Sequence, residues 1–345
     1  APAPPPAAPG AEDTRPRGTS GASGGAASPA LGYDRGSTPE PPIRSLLHLG
    51  NTSAATLHDL RGRAHALRRG EHHSLRTVAP IALLTGEPVP YVRAAVEAGA
   101  SLLGLRVVVY GPDDVARLGD PVVAGERLGA LHPAILGAAL PPAVLAAMAE
   151  RSPSPVVEAG GAGGDPAGAL ADLFVLERAL GDLHGRKLAW VGDASGLLHD
   201  LLVAGCTLGL SVAVAHPVGF APDVERVTWA RERAGLTRAA VHVTTDLADA
   251  LQDAHAIYAE PWPEGAAERF RGFTVQRHAV RGARGGCVFL HRAPERRGPE
   301  LSASFTEDAG WLALEQARTR AYAWGALLGF LLQPDPLRSV LTGAK

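Results

Sequence analysis

Residues 185–217 read GRKLAWVGDASGLLHDLLVAGCTLGLSVAVAHP. The apolar run from Leu188 to Val191 has the length of a strand buried in a parallel sheet. Gly192-Asp193-Ala194-Ser195-Gly196 then turns, and the leucine spacing from Leu197 to Leu208 predicts a helix. Gly209 can stop that helix, and Leu210 to Ala215 forms a second apolar run. Strand, helix and strand in this order make a βαβ unit. Its crest at Gly192 to Gly196 lies where such folds receive ligands.

The same alternation continues on both sides. Upstream, Ser53 or Thr56 can cap a helix reaching Leu67, with Leu57, Leu60, Ala64 and Leu67 on one face. Strands are expected at Thr77 to Leu84, Leu105 to Tyr110, Ala134 to Ala138 and Val156-Val157. Helices are expected at Tyr91 to Leu103 and Pro141 to Glu150, and Asp113 to Leu128 reads as helical or irregular. A glycine-rich loop, Gly160 to Gly164, leads through Asp165-Pro166 into a helix from Ala167 to Leu180. Downstream, helices at Ala221 to Arg233 and Leu247 to Gln252 alternate with strands at Ala240 to Val243, Ala256 to Tyr258 and Cys287 to Leu290. A helix from Trp311 to Leu332, ended by Pro334, completes the pattern. The expected fold is α/β, with two doubly wound parallel-sheet domains.

The chain's 345 residues suffice for two such cores. A net charge of −2 gives no reason to expect a nucleic acid or an anionic membrane as partner. No apolar run reaches the ~18–20 residues of a membrane span. Ala1 to about Pro42 is Pro, Ala, Gly and Ser with scattered charges, and reads as a disordered tail. The N-terminus lacks the short apolar core of a secretory signal, so the cytoplasm is the expected compartment. Cys206 and Cys287 lie in apolar segments and read as small buried hydrophobes. Neither a metal-ligand cluster nor a cofactor is expected.

Several chemistries fit poorly. A dinucleotide fingerprint needs G-x-G-x-x-G, whereas only Gly192 and Gly196 fall near register, and Asp193 would set a carboxylate against the pyrophosphate. No G-K-[ST] follows a strand, so a P-loop is absent. The single G-x-S-x-G, Gly21 to Gly25, has no strand before it. The pairs His72-His73 and His132-Pro133 fall in predicted loops and read as solvated.

Four segments, in order, carry a resemblance. Leu188 to Pro217 contains V-G-D-A-S-G-L-L-H-D-L-L; Ala169 to Leu173 reads A-L-A-D-L; Ala254 to Trp262 reads A-H-A-I-Y-A-E-P-W; Leu290 to Glu300 reads L-H-R-A-P-E-R-R-G-P-E. From about Arg44 to Leu332 the chain resembles the aspartate/ornithine carbamoyltransferase family, closer to its ornithine branch. In that family these segments read V-G-D-G-N-N-x-x-H-S-L, A-L-A-D-L, A-D-V-V-Y-T-D-V-W and M-H-C-L-P-x-x-R-G-x-E. The resemblance implies a carbamoyl-phosphate-binding-like domain over 43–180, an ornithine/aspartate-binding-like domain over 181–310, and a C-terminal helix packing back on the first domain over 311–345. It also implies a homotrimer, with an amino-acid-like small molecule as ligand.

The resemblance places the family's S-T-R-T anion-binding run on Val89, Pro90, Tyr91 and Val92, with Arg93 after them. Pro90 is acceptable in a first helical turn, so the helix can persist without its anion-binding side chains. Charge-assisted hydrogen bonds contribute roughly 1.5–3 kcal/mol each. Losing several removes on the order of 5 kcal/mol, or thousands-fold in affinity. The family's H-P-x-Q becomes Asp165-Pro166-Ala167-Gly168, which sets a carboxylate where a donor should meet a dianion. The favoured reading of Asp165 is simply a cap for the helix that follows. On the acceptor side the two asparagines become Ser195 and Gly196, the aspartate becomes Glu260, and an S-M-G run becomes Glu264-Gly265-Ala266. The H-C-L-P loop keeps His291 but has Arg292 for its cysteine, with Arg297 beyond. For the arginine of the C-terminal helix, Arg318 and Arg320 both remain open, with Arg320 taken as the candidate. The catalytic candidates are therefore His291, Arg292 and Asp165. The expectation is an ornithine carbamoyltransferase-like protein without that activity, in a binding or scaffold role. The alternative is a diverged enzyme transferring a carbamoyl or related group to an amino-acid-like acceptor.

Overall fold

The computed structural model describes residues 1–3, 45–71, 74–75, 77, 79–292 and 298–333. Residues 4–42 of the expected tail, His72-His73, Pro334 and Arg297 lie outside them. The chain divides into Ala1–Pro42 and Ile43–Lys345, and the architecture that follows is that of the second unit.

Two sheets are built from parallel strands. The first holds β1 (Ile81–Thr85), β2 (Val107–Tyr110), β3 (Ile135–Ala138) and β4 (Val156–Glu158), in the order β2-β1-β3-β4. The second holds β5 (Lys187–Val191), β6 (Ser211–Ala215), β7 (Val241–Thr244), β8 (Ala256–Ala259) and β9 (Val288–His291), in the order β7-β6-β5-β8-β9. In each sheet the chain winds outward from its first strand, then returns to wind the other way. The switch points therefore lie between β1 and β3 and between β5 and β8.

Burial explains the continuous apolar runs. All five residues of β1 are buried: Ile81 and Leu83 face one core, and Ala82 and Leu84 face another with Leu128, Leu145 and Met148. Likewise Leu188 and Trp190 of β5 turn one way, while Ala189 and Val191 turn to Phe289 and Phe305. With helices over both faces, neither face of a strand can be polar.

The helices are α1 (Ala54–Arg68), α2 (Pro90–Leu102), α3 (Pro112–Val115), α4 (Pro121–Leu131), α5 (Pro142–Arg151), α6 (Pro166–Leu180), α7 (Gly196–Thr207), α8 (Val224–Thr237), α9 (Leu247–Leu251), α10 (Ala267–Phe270) and α11 (Ala313–Leu332). Proline opens α2 to α6, a position whose N–H has no intrahelical partner. Ser53 caps α1 by accepting from Thr56 N at 3.1 Å. One core runs through both sheets, since Leu83, Leu170, Trp190 and Leu327 belong to it together. Helix α11 returns to pack on α2. A Cβ on Gly99 would stand 2.5 Å from Trp324 Cβ, so glycine alone permits this approach.

Some expectations change. The strand expected from Thr77 begins at Ile81, because Pro80 has no N–H for a ladder. Asp113 to Leu128 resolves into α3 and α4, with Gly119 between them at φ +75. His132 is buried rather than solvated. Its Nε2 pairs with Tyr110 Oη at 2.9 Å and its Nδ1 with Pro80 O at 2.8 Å. Cys206 is fully buried, whereas Cys287 is only partly so. Among the described residues no helix is long and apolar enough to cross a membrane.

Candidate functional site

Both switch points open into one cavity of about 850 Å3. The loops after β1, β3 and β4 line one side with Glu87 to Val92, Ala139 to Pro142 and Ala159 to Ala162. The loops after β5 and β8 line the other with Asp193, Ser195, Glu260, Pro261 and Pro263, and Arg292 follows β9. Asp165 precedes α6, and α11 adds Arg320 and Trp324. Four of the lining positions, Val89, Pro90, Tyr91 and Val92, form the entry to α2. Val89 makes no capping hydrogen bond, Pro90 has no N–H, and Tyr91 is 61% exposed.

Arg93 is a correction. It stands outside the cavity wall, with Nε 2.8 Å from Glu97 Oε1 in an exposed pair one helical turn on. Gly196 is another. It opens α7 where a Cβ would press on Gly161 O and stand 2.8 Å from Gly164 N, so it closes a loop contact rather than facing the cavity.

Asp165 does two things at once. Its Oδ1 accepts from Gly168 N at 2.9 Å, capping α6, and its Oδ2 lies 3.3 Å from Arg320 Nη1. Its own N donates to Asp200 Oδ2 at 2.8 Å. Arg320 also lies 3.9 Å from Asp172 Oδ2. Burial opposes its charge, but Asp165 and Asp172 outweigh burial and hold it protonated. The open choice of arginine on α11 is thus resolved. Arg320 turns inward, and Arg318 makes an exposed pair with Glu315.

Glu260 and Arg292 form a second pair, with Arg292 Nη1 donating to Oε1 at 2.9 Å. Glu260 Oε2 is buried and accepts no hydrogen bond within 3.5 Å, though the Ser195 hydroxyl lies near enough to favour its charged form. Burial is the larger influence and raises the Glu260 pKa; Arg292 works against it. Gly192, at φ +136, lets the turn after β5 pass against this residue, since a Cβ there would stand 2.8 Å from Glu260 Cβ.

His291 corrects the catalytic expectation. It is buried away from the cavity, with Nε2 2.9 Å from Glu300 Oε1 and its ring 6.0 Å from Trp311. Successive side chains of a strand alternate faces, so the following Arg292, not His291, reaches the cavity. The backbone N of His291 donates to Gln316 Oε1 at 3.0 Å. Gln316 Nε2 donates to Asp172 Oδ1 at 2.9 Å, and Tyr258 Oη donates to Asp172 Oδ2 at 3.2 Å. This buried network joins β8, β9, α6 and α11 behind the cavity.

Sequence reasoning missed the carboxylates underneath. Burial pushes Asp172 up to about 6 and Asp200 up to about 7. Burial, then Asp165 and Asp200, push Glu158 up to about 8. Asp200 accepts from Leu49 N at 2.6 Å as well as from Asp165 N. A lone aspartate inside the apolar run of α7 was the signal available. Among the described residues no group of three His, Cys, Asp or Glu side chains could hold a metal ion.

Comparison with known proteins gives a consistent result. The family model described as "Aspartate/ornithine carbamoyltransferase, Asp/Orn binding domain" matches residues 184–331. An ornithine carbamoyltransferase of Pyrococcus horikoshii is 28% identical over 273 residues, covering 76% of this chain and 86% of that protein. One from Acidothermus cellulolyticus is 37% identical over 193 residues, 54% of this chain and 62% of that one. The solved ornithine carbamoyltransferase of Pyrococcus furiosus superposes with a TM-score of 0.80 at 25% identity, covering 84% of this chain and 97% of that one. That of Gloeobacter violaceus gives 0.79 at 27% identity, with 85% and 99% covered.

Proposed function

This chain belongs to the aspartate/ornithine carbamoyltransferase family, and we propose that it is an ornithine carbamoyltransferase-like protein without ornithine carbamoyltransferase activity, acting by binding. On the family resemblance it forms a homotrimer. One observation carries the reading: Asp165 is already engaged as cap and ion-pair partner, and on the family resemblance it stands where a catalytic donor is expected. A phosphate dianion there would meet a carboxylate in a partly desolvated site, and like charges in such a site repel strongly. The α2 entry supports the same conclusion, because Val89, Pro90 and Val92 offer no side-chain donor and Pro90 no backbone donor. Arg320, which pairs with Asp165, is neutralised by it and by Asp172. Calorimetric titration with carbamoyl phosphate, beside a citrulline-formation assay with ornithine, tests the reading. No saturable heat and no citrulline are expected; micromolar affinity with turnover would overturn it.

A second reading, transfer of a different activated group to an amine, is favoured by Glu260. Its Oε2, which accepts no hydrogen bond within 3.5 Å, and its raised pKa suit a base that takes a proton from an ammonium. Mass spectrometry of amines incubated with an acyl phosphate and the protein separates the two readings, because only an enzyme accumulates the adduct catalytically.

A further inference from the structure

Among the described residues six prolines line the cavity: Pro88, Pro90, Pro141, Pro142, Pro261 and Pro263. Proline has no backbone N–H, so these turns present rings and carbonyl oxygens where an anion would need donors. Val89, Tyr91, Val92 and Trp324 extend the apolar wall.

The charges point the same way. Among the described residues four carboxylates line the cavity, on Glu87, Asp165, Asp193 and Glu260, against two guanidinium groups, on Arg292 and Arg320. The two guanidinium groups are taken up by Glu260 and Asp165. Among the described residues Asp193 has no cationic partner; its Oδ1 accepts only from Ala194 N at 2.9 Å. Asp193 and Glu260 follow the paired strands β5 and β8, whose last partners are Val191 and Ala259, so they stand at the same end of the cavity. There Glu260, 3% exposed, has an Oε2 that accepts no hydrogen bond within 3.5 Å, with the Ser195 hydroxyl as its neighbouring donor. A buried acceptor left unpaired is costly, and an ammonium carries three donors.

We infer that the cavity binds a primary amine with an apolar body, the ammonium at Asp193 and Glu260 and the body against the proline and Tyr91 wall. This rests on the reading that the site has given up carbamoyl phosphate, and it names what takes its place: an apolar group fills the half that would otherwise hold the anion.

The test is calorimetric titration of the full chain with phenethylamine, pentylamine, 3-phenylpropionate and carbamoyl phosphate. Both amines are expected to bind saturably, and 3-phenylpropionate about tenfold or more weaker. Asp193→Asn is expected to weaken both amines about fivefold or more, with Glu260→Gln acting in the same direction. Tyr91→Ala, an exposed change that leaves the core untouched, is expected to weaken phenethylamine more than pentylamine. Absent amine binding, equal binding of 3-phenylpropionate, or amine binding indifferent to Asp193→Asn in a folded variant would each overturn the inference. Those outcomes leave the proposed function standing as long as carbamoyl phosphate does not bind. Micromolar binding of carbamoyl phosphate overturns that function, whatever the amines do.

Discussion

Arg320→Leu leaves Asp165 and Asp172 without their shared cation, and both carboxyl groups are buried. Removing one partner of a buried ion pair costs about 3–5 kcal/mol, and urea denaturation at pH 8 is expected to read a loss of that size. At pH 5 the loss should be smaller, because Asp172, already pushed up to about 6, can take a proton instead. An equal loss at both values would mean that packing of the arginine stem, not its charge, is what matters. At this scale the sequence was half legible. An Asp-Pro pair before an apolar helix announces a cap, and Asp165 is one. Arg292 opposite Glu260 was not foreseeable, since 32 residues separate them and strand pairing alone brings them together. His291 was misplaced for a related reason: a motif fixes chain position, but the pleat of β9 decides which side chain faces the cavity.

Where α2 crosses α11, Gly99 meets Trp324 and Ala321 so closely that an added Cβ would lie 2.5 Å from one and 2.7 Å from the other. Gly325 stands on the facing side of the same crossing, its own added Cβ 3.3 Å from Gly99 O. Gly99→Ala is therefore expected to destabilise the chain by about 1–3 kcal/mol through overpacking, read as a lower midpoint of thermal unfolding. A neutral or higher midpoint would show that the two helices can part at little cost. Most elements were legible as elements, because apolar runs, prolines at first helical positions and glycine stops are local signals. The helix crossing was not. Gly99 and Gly325 look like poor helix residues until the partner helix is present.

For the whole molecule, pH is the informative variable. A buried carboxyl with a raised pKa holds its proton more firmly in the folded chain, so stability falls as pH climbs from its ordinary value through the raised one. Asp172 at about 6, Asp200 at about 7 and Glu158 at about 8 set that window. His48 acts oppositely: burial and Arg226 lower it to about 4, so its contribution grows as pH rises towards 6.5. The net decline should thus be clearest between pH 6.5 and 8.5, followed as the midpoint of thermal unfolding. Glu158→Gln is expected to flatten the upper part of that decline and to add on the order of 2 kcal/mol at pH 8.5. A midpoint that climbs across this range would contradict the picture. The doubly wound order of both sheets followed from alternating strands and helices. The meeting of their switch points over one cavity did not, because it depends on how α6 and α11 join the sheets.

The prolines around that cavity have a thermodynamic consequence. Each fixes its own φ near −65° and restricts the residue before it. The three loops that carry them, after β1, β3 and β8, have therefore surrendered much of their backbone freedom during folding. Ordering a mobile loop around a guest costs about 1–2 kcal/mol per residue, and here most of that ordering precedes the guest's arrival. Calorimetry of any ligand that fits should then show little entropic penalty from the protein, and association limited by encounter rather than by rearrangement of the walls.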